Sequence, residues 1–176
     1  VYRRNDPEPE LDKTNMALDI SETPGSKPQH QLTIPVTESL MATQKATTVE
    51  CWAKIDELGK TFQIASLTHT DGNTAGGRYS GGWYINIDSD YSNDHIVIVA
   101  GLTTDRSVDG VGKQIWERTY KIFQTGYWHH IAMTYDDAVE KDNIRLYVDG
   151  VLIGTQTEHG DILMGSNPIV IGKSDS

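Results

Sequence analysis

The sequence predicts an all-β domain. Three observations carry that prediction: short apolar runs with period two recur along the chain, turn residues separate them, and no long segment keeps helical spacing. The runs are "MALDI", "HQLTI", "TTVECWAKI", "TFQIASLT", "GWYINID", "HIVIVAGL", "KQIWERTYKI", "WHHIAMTYD", "NIRLYVDGVLIGTQT" and "PIVIG". So many short strands at turn-separated intervals indicate a sandwich or barrel, with two sheets each burying one face. A chain of 176 residues suffices for one core, and nothing in it suggests a second.

The elements are justified in order along the chain. Residues 1–14 hold two prolines, several charges and almost nothing apolar, so they read as an exposed arm or linker, and the domain is expected over residues 15–176. The only helix expected is a single turn in "VTESLMAT", with Thr37 as its cap. In "TTVECWAKI", Val49, Cys51, Ala53 and Ile55 share one face, which makes Cys51 a small core residue rather than a nucleophile. The glycine-rich "DGNTAGGRYSGG" lacks both a phosphate-loop lysine and a following helix, and reads as a long connection between strands. "GWYINID" is expected to bury Trp83, Ile85 and Ile87 and to present Tyr84 and Asn86, while "KQIWERTY" presents Trp116 and Arg118.

"GYWHHIAMTYDD" invites a metal-site reading, but successive strand side chains point to opposite faces, so His129 and His130 cannot hold one ion unless a bulge intervenes. His129 shares its parity with Ile131, Met133 and Tyr135 and is expected inside, hydrogen-bonded; His130 lies outside with Ala132 and Thr134. The sharpest local signal is "IRLYVDGVLIG": Asp149-Gly150 between alternating runs favours a type I′ hairpin, pairing Val148 with Val151 and Leu146 with Ile153 on the core face.

Composition narrows the partners. With 25 acidic against 15 basic residues the formal charge is −10, which disfavours nucleic acid and anionic lipid. No apolar run approaches the roughly 20 residues needed to cross a bilayer, so no direct membrane insertion is expected. One cysteine permits no internal disulfide, and no Asn-x-Ser/Thr sequon occurs. No Gly-x-Ser-x-Gly elbow supports a serine nucleophile.

Taken in order, "TVECWAKI", "GGWYINID", "GYWHHIAMTYDD", "IRLYVDGVLIGTQ" and "NPIVIGKS" resemble successive strands of laminin G-like domains of the concanavalin A-like lectin/glucanase superfamily, over about residues 16 to 173. The resemblance implies a jelly-roll sandwich of two antiparallel sheets with ligands on a concave face or at the loop rim, extracellular or cell-surface placement (a virion surface included), and carbohydrate or protein partners, often with calcium. Two departures stand out. The Glu-x-Asp-x-x-Glu strand of the glucanases is absent, so glycosidase chemistry is not expected; Asp88 and Asp90, two apart at a strand end, suit a cation or a turn better. The chain also stops at Ser176, before the final strand that relatives carry, which predicts an open edge filled by further sequence or by a segment of another copy in a strand-sharing oligomer.

The functional expectation is a non-catalytic module that binds a glycan or a surface protein. Its alternative is a structural or adhesion domain of a filament, adhesin or virion appendage. Tyr84, Asn86, Trp116, Arg118 and His130 are the expected ligand contacts, since aromatic faces flanked by amide and guanidinium groups suit sugar rings. Asp71 and Asn73 in one loop, with Asp88 and Asp90 in the next, offer the hard oxygens that calcium takes.

Overall fold

The computed structural model describes residues 31–41, 45–55, 61–69, 80–89, 96–107, 112–119, 123–164 and 167–175. The strands are β1 (Leu32–Ile34), β2 (Ala46–Lys54), β3 (Thr61–His69), β4 (Ser80–Ser89), β5 (Ile96–Leu102), β6 (Lys113–Arg118), β7 (Trp128–Asp136), β8 (Ile144–Val148), β9 (Val151–Gln156) and β10 (Ile169–Asp175). One helical turn, α1 (Glu38–Met41), follows β1. Thr37 caps it as expected, its Oγ1 accepting the Leu40 N–H at 3.4 Å. "MALDI" lies outside the described residues.

The strands form two antiparallel sheets, one of six strands in the order β1-β10-β3-β4-β5-β6 and one of four in the order β2-β7-β8-β9. The sandwich core lies between them. Leu67, Ile85, Ile87, Ile98, Leu102 and Ile115 of the larger sheet meet Ile131, Met133, Tyr135, Ile144, Leu146 and Val148 of the smaller, all essentially without exposure. Alternation along each strand builds this layer: in β8 the pattern of buried Ile144, Leu146 and Val148 with half-buried Arg145 and Tyr147 follows the pleat directly.

Two sides of the sandwich are finished differently. On the β6/β9 side the sheets approach so closely that a side-chain carbon at Gly154 would run into Ile115 and Glu117. The segment after β9 then ties the sheets together. Gly160 donates its N–H to Asp137 Oδ1 at 2.8 Å, Asp161 donates its own to Asp105 Oδ1 at 2.9 Å, and the Tyr135 hydroxyl donates to the Gly160 carbonyl at 2.7 Å. Burial, with Asp137 and Glu158 nearby, pushes the Tyr135 phenol well above its ordinary range. On the other side, β2 pairs with β7 over nine positions and has no strand on its second edge among the described residues. Its inward residues Val49, Cys51 and Ala53 touch the core but stay half-exposed.

The hairpin departs from its expected register in one respect. Asp149 and Gly150 take φ of 51° and 76°, as a type I′ turn requires, and Val148 pairs with Val151. A register shift between Leu146 and Tyr147 then sets Gly154, not Ile153, opposite Leu146. The close approach to β6 explains the shift, because only a residue without a side chain fits there. Val151 is also not a core residue: it is 52% exposed at the tip.

Candidate functional site

The face of the six-stranded sheet that points away from the core carries the most organised set of polar and aromatic groups. Register places Ser66, Tyr84, Gly101 and Gln114 in one row across β3 to β6, and Gln63, Asn86, Val99 and Trp116 in the next. The rows follow from parity, since Trp83, Ile85 and Ile87 fill the core between them. Tyr84 and Asn86 lie on the expected face but are not presented to solvent, being 4% and 7% exposed. Gln63, Ser66 and Val99 beside them are buried as well. These groups form a strip that is buried along β3 to β5 and opens to solvent at β6, with Gln114 half-buried and Trp116 exposed.

Gly101 shapes the strip. An added side-chain carbon there would lie 2.9 Å from the Tyr84 hydroxyl and 2.8 Å from the Lys113 carbonyl, so the tyrosine ring rests across the space the glycine leaves. Beside it, on edge strand β6, Trp116 is 59% exposed and donates its indole N–H to Gln114 Oε1 at 3.0 Å, which orients the ring. Amide, hydroxyl and aromatic groups in this order can stack on an apolar ring face and exchange hydrogen bonds with its substituents. Asp88 and Arg118 occupy the following row, each paired with Val97; their side chains lie outside the described residues.

His130 does not join this strip. It sits on β7 in the other sheet, on the outer face across the core, so the five expected contacts do not converge on one site. The reason is connectivity: residues of equal outward parity face the same side only within one sheet. His130 instead stands opposite Trp52, with ring centroids 5.3 Å apart, and its Nε2 is 3.5 Å from Glu50 Oε2. His129 is structural, as its parity implied. Its Nδ1 lies 2.7 Å from Asp149 Oδ2, the Gln124 N–H donates to its Nε2 at 3.0 Å, and its ring packs on Phe123. The Asp149 carboxylate also accepts the His130 N–H at 2.9 Å, so one turn residue fixes both the hairpin and the imidazole.

Of the residues expected to bind a cation, Asp71, Asn73 and Asp90 lie outside the described residues, as does the side chain of Asp88. The ends of β4, Ser80 and Ser89, are about 30 Å apart at strand rise, and the two acidic clusters belong to connections at opposite ends of that strand. Among the described residues no three His, Cys, Asp or Glu side chains converge on one point. Burial, and secondarily Glu50, push the Cys51 thiol up to about 11, so it stays protonated at neutral pH and is a poor nucleophile.

Sequence reasoning missed Gln63, Ser66, Gly101 and Gln114, which complete the strip, and Trp52 on the opposite sheet. Parity assigns Ser66, Gly101, Gln114 and Trp52 to outward positions, whereas Gln63 shares its parity with the core residues Ala65 and Leu67 and reaches the outer face only through the register shift between Gln63 and Ala65; strand order, which parity does not contain, brings the first four together.

Comparison with known proteins agrees with this architecture. Residues 26–176 match the family model for laminin G-type domains of the concanavalin A-like lectin/glucanases superfamily. Among solved structures, the chain is similar to domains LG4-5 of the mouse laminin alpha1 chain, with 12% identity and a TM-score of 0.50, covering 80% of this chain and 31% of that one. It is similar also to the CBM40 of the Ruminococcus gnavus IT-sialidase bound to alpha2,3 sialyllactose, with 16% identity and a TM-score of 0.55, covering 80% and 77%. An alginate lyase of Pseudomonas aeruginosa is more distant, with 11% identity and a TM-score of 0.43, covering 87% and 76%. The chain thus spans about a third of the laminin fragment. No curated protein sequence matches it.

Proposed function

The chain belongs to the concanavalin A-like lectin/glucanases superfamily, and from that premise we propose that it is a non-catalytic, extracellular or surface-displayed module that binds carbohydrate along the outer strip of its six-stranded sheet. The observation that carries this reading is the Tyr84 ring seated over Gly101 beside the Gln114–Trp116 pair. It sets an oriented, exposed indole beside the half-buried Gln114 amide at the open margin of the strip, which suits a sugar ring with one apolar face and a rim of hydroxyls. The CBM40 of similar fold was solved with a bound sialyllactose, which supports a glycan ligand for this fold. The absence of the Glu-x-Asp-x-x-Glu spacing supports binding over hydrolysis. A glycan array read with the native chain and with Trp116→Ala tests the proposal. Specific signals that fall about tenfold in the variant are expected, and an array on which the two proteins behave alike would sink it.

Calcium belongs to the same proposal, on the oxygen-rich loops that carry Asp71, Asn73, Asp88 and Asp90. An ion bound only by the folded chain stabilises it by about 2.7 kcal/mol at a hundredfold excess over its dissociation constant. The melting temperature should therefore rise by several degrees between chelator and millimolar calcium. Superimposable curves remove calcium from the account.

A second reading, assembly with other chains, is favoured by one observation: β2 has an unpaired edge among the described residues, and its core-facing side chains are half-exposed. An added strand would complete both the hydrogen-bond ladder and the burial of Val49, Cys51 and Ala53. Sedimentation over a wide concentration range tests it. Self-association abolished by a proline at Glu50 supports this reading, and a monomer throughout removes it.

A further inference from the structure

The outer face of the four-stranded sheet holds a second aromatic surface, separated from the strip above by the whole core. Trp52 on β2 is 56% exposed, and on β7 Trp128 is 39% exposed. The register sets Trp52 opposite His130 and Lys54 opposite Trp128, so the two indoles lie diagonally across adjacent strands. Both stand on a pair of strands joined at nine consecutive positions, and the His130 N–H is held by Asp149, so the platform is built on rigid backbone. His130 packs edgewise near Trp52 with rings tilted by 53°, and its Nε2 meets the Glu50 carboxylate at 3.5 Å.

The chemistry of this surface selects its occupant. A large exposed indole beside a paired imidazole and carboxylate offers one apolar face and, at its edge, a donor and an acceptor. The centre of a protein interface is depleted of charge, whereas here Glu50 and Lys54 flank Trp52 on both sides along β2. The charge of −10, with Glu50 beside the ring, disfavours an acidic ligand. We infer that this surface is a second carbohydrate subsite, on which Trp52 stacks against the apolar face of a neutral pyranose while His130 and Glu50 exchange hydrogen bonds with its hydroxyls.

The subsite is independent of the first, and the test separates them. Indole N–H signals of the 176-residue chain are assigned with single Trp→Phe variants and followed by 1H–15N spectroscopy. The probes are cellohexaose, mannohexaose and xylohexaose, with sialyllactose as the acidic comparison. The Trp52 signal should move saturably with at least one neutral hexaose and not with sialyllactose, and should do so equally in Trp116→Ala. Affinity at this signal should fall about tenfold in a Glu50→Ala, His130→Ala double variant, which keeps the indole that reports it and whose melting curve serves as the check that the fold is intact. A Trp52 signal that ignores all three neutral sugars overturns the inference even if Trp116 responds. So does one that moves with protein concentration alone, which would make the face a contact between copies.

Discussion

The two sides of the sandwich are built from similar residues to different ends. On the β6/β9 side the sheets meet so tightly that Gly154 and Gly160 leave no room for a side-chain carbon, and three hydrogen bonds from residues 135 to 161 lace them together. On the β2 side, Val49 faces the core directly opposite Met133 in the register, yet Met133 is fully buried and Val49 is half-exposed. The difference teaches that facing the core and being enclosed by it are separate properties. Alternation decides the first, and the next strand over decides the second.

The closed side should be the more fragile. Gly160 has φ of 107°, which side chains rarely adopt, and an added carbon would collide with the Asp105 carboxylate. Backbone strain and overpacking each cost about 1–3 kcal/mol, so Gly160→Ala should be destabilised by roughly 2–6 kcal/mol in a denaturant titration. A variant within 1 kcal/mol of wild type would show that the lacing at this end is not structural.

The register partners give the direct contrast. Met133→Ala removes a side chain packed on all sides and should cost about 2–5 kcal/mol. Val49→Ala, in the half-open position, should cost about 1 kcal/mol or less, because solvent already reaches the site. Equal losses would mean that β2 is covered by something beyond the described strands, which would sharpen the case for an added strand at its edge.

The closed side also has an acid limit. The Gly160 N–H, helped by His159, Arg106 and Lys45, outweighs burial and holds the Asp137 carboxyl below the usual carboxylate range. A carboxyl whose folded pKa is depressed contributes stability that is present above its ordinary value and is lost as pH falls through the lowered one. Melting temperatures measured from neutral to acid pH should therefore decline more steeply in the wild type than in Asp137→Asn. Parallel declines would assign the acid sensitivity elsewhere.

The same distinction separates what the sequence makes legible from what it does not. Nine of the ten apolar runs coincide with described strands, because a period of two is a local property that each segment carries by itself. His129 went inside and Tyr84 to the outer face on parity alone. The pairing of β2 with β7 and of β10 with both β1 and β3 joins segments far apart in the chain, and no local pattern encodes it. For that reason outward parity groups His130 with Tyr84 and Trp116 although it stands on the other sheet, and presents Tyr84 to solvent although it is buried.

The smallest expected effect tests whether the open side carries function rather than stability. Trp52 lies on the outer face of β2, 56% exposed, with His130 as its ring neighbour and no part in the core cluster. Surface substitutions away from special backbone features change stability by about 0.5 kcal/mol or less, which for a domain of this size moves the melting temperature by roughly 1–2 °C. Trp52→Ala should stay within that band. A larger fall would make the indole part of the scaffold, holding the edge strand against His130, and would remove the argument that so large an apolar side chain is kept in solvent for a ligand. A melting curve unchanged while neutral-sugar affinity, read by calorimetry, falls would place its contribution in binding alone.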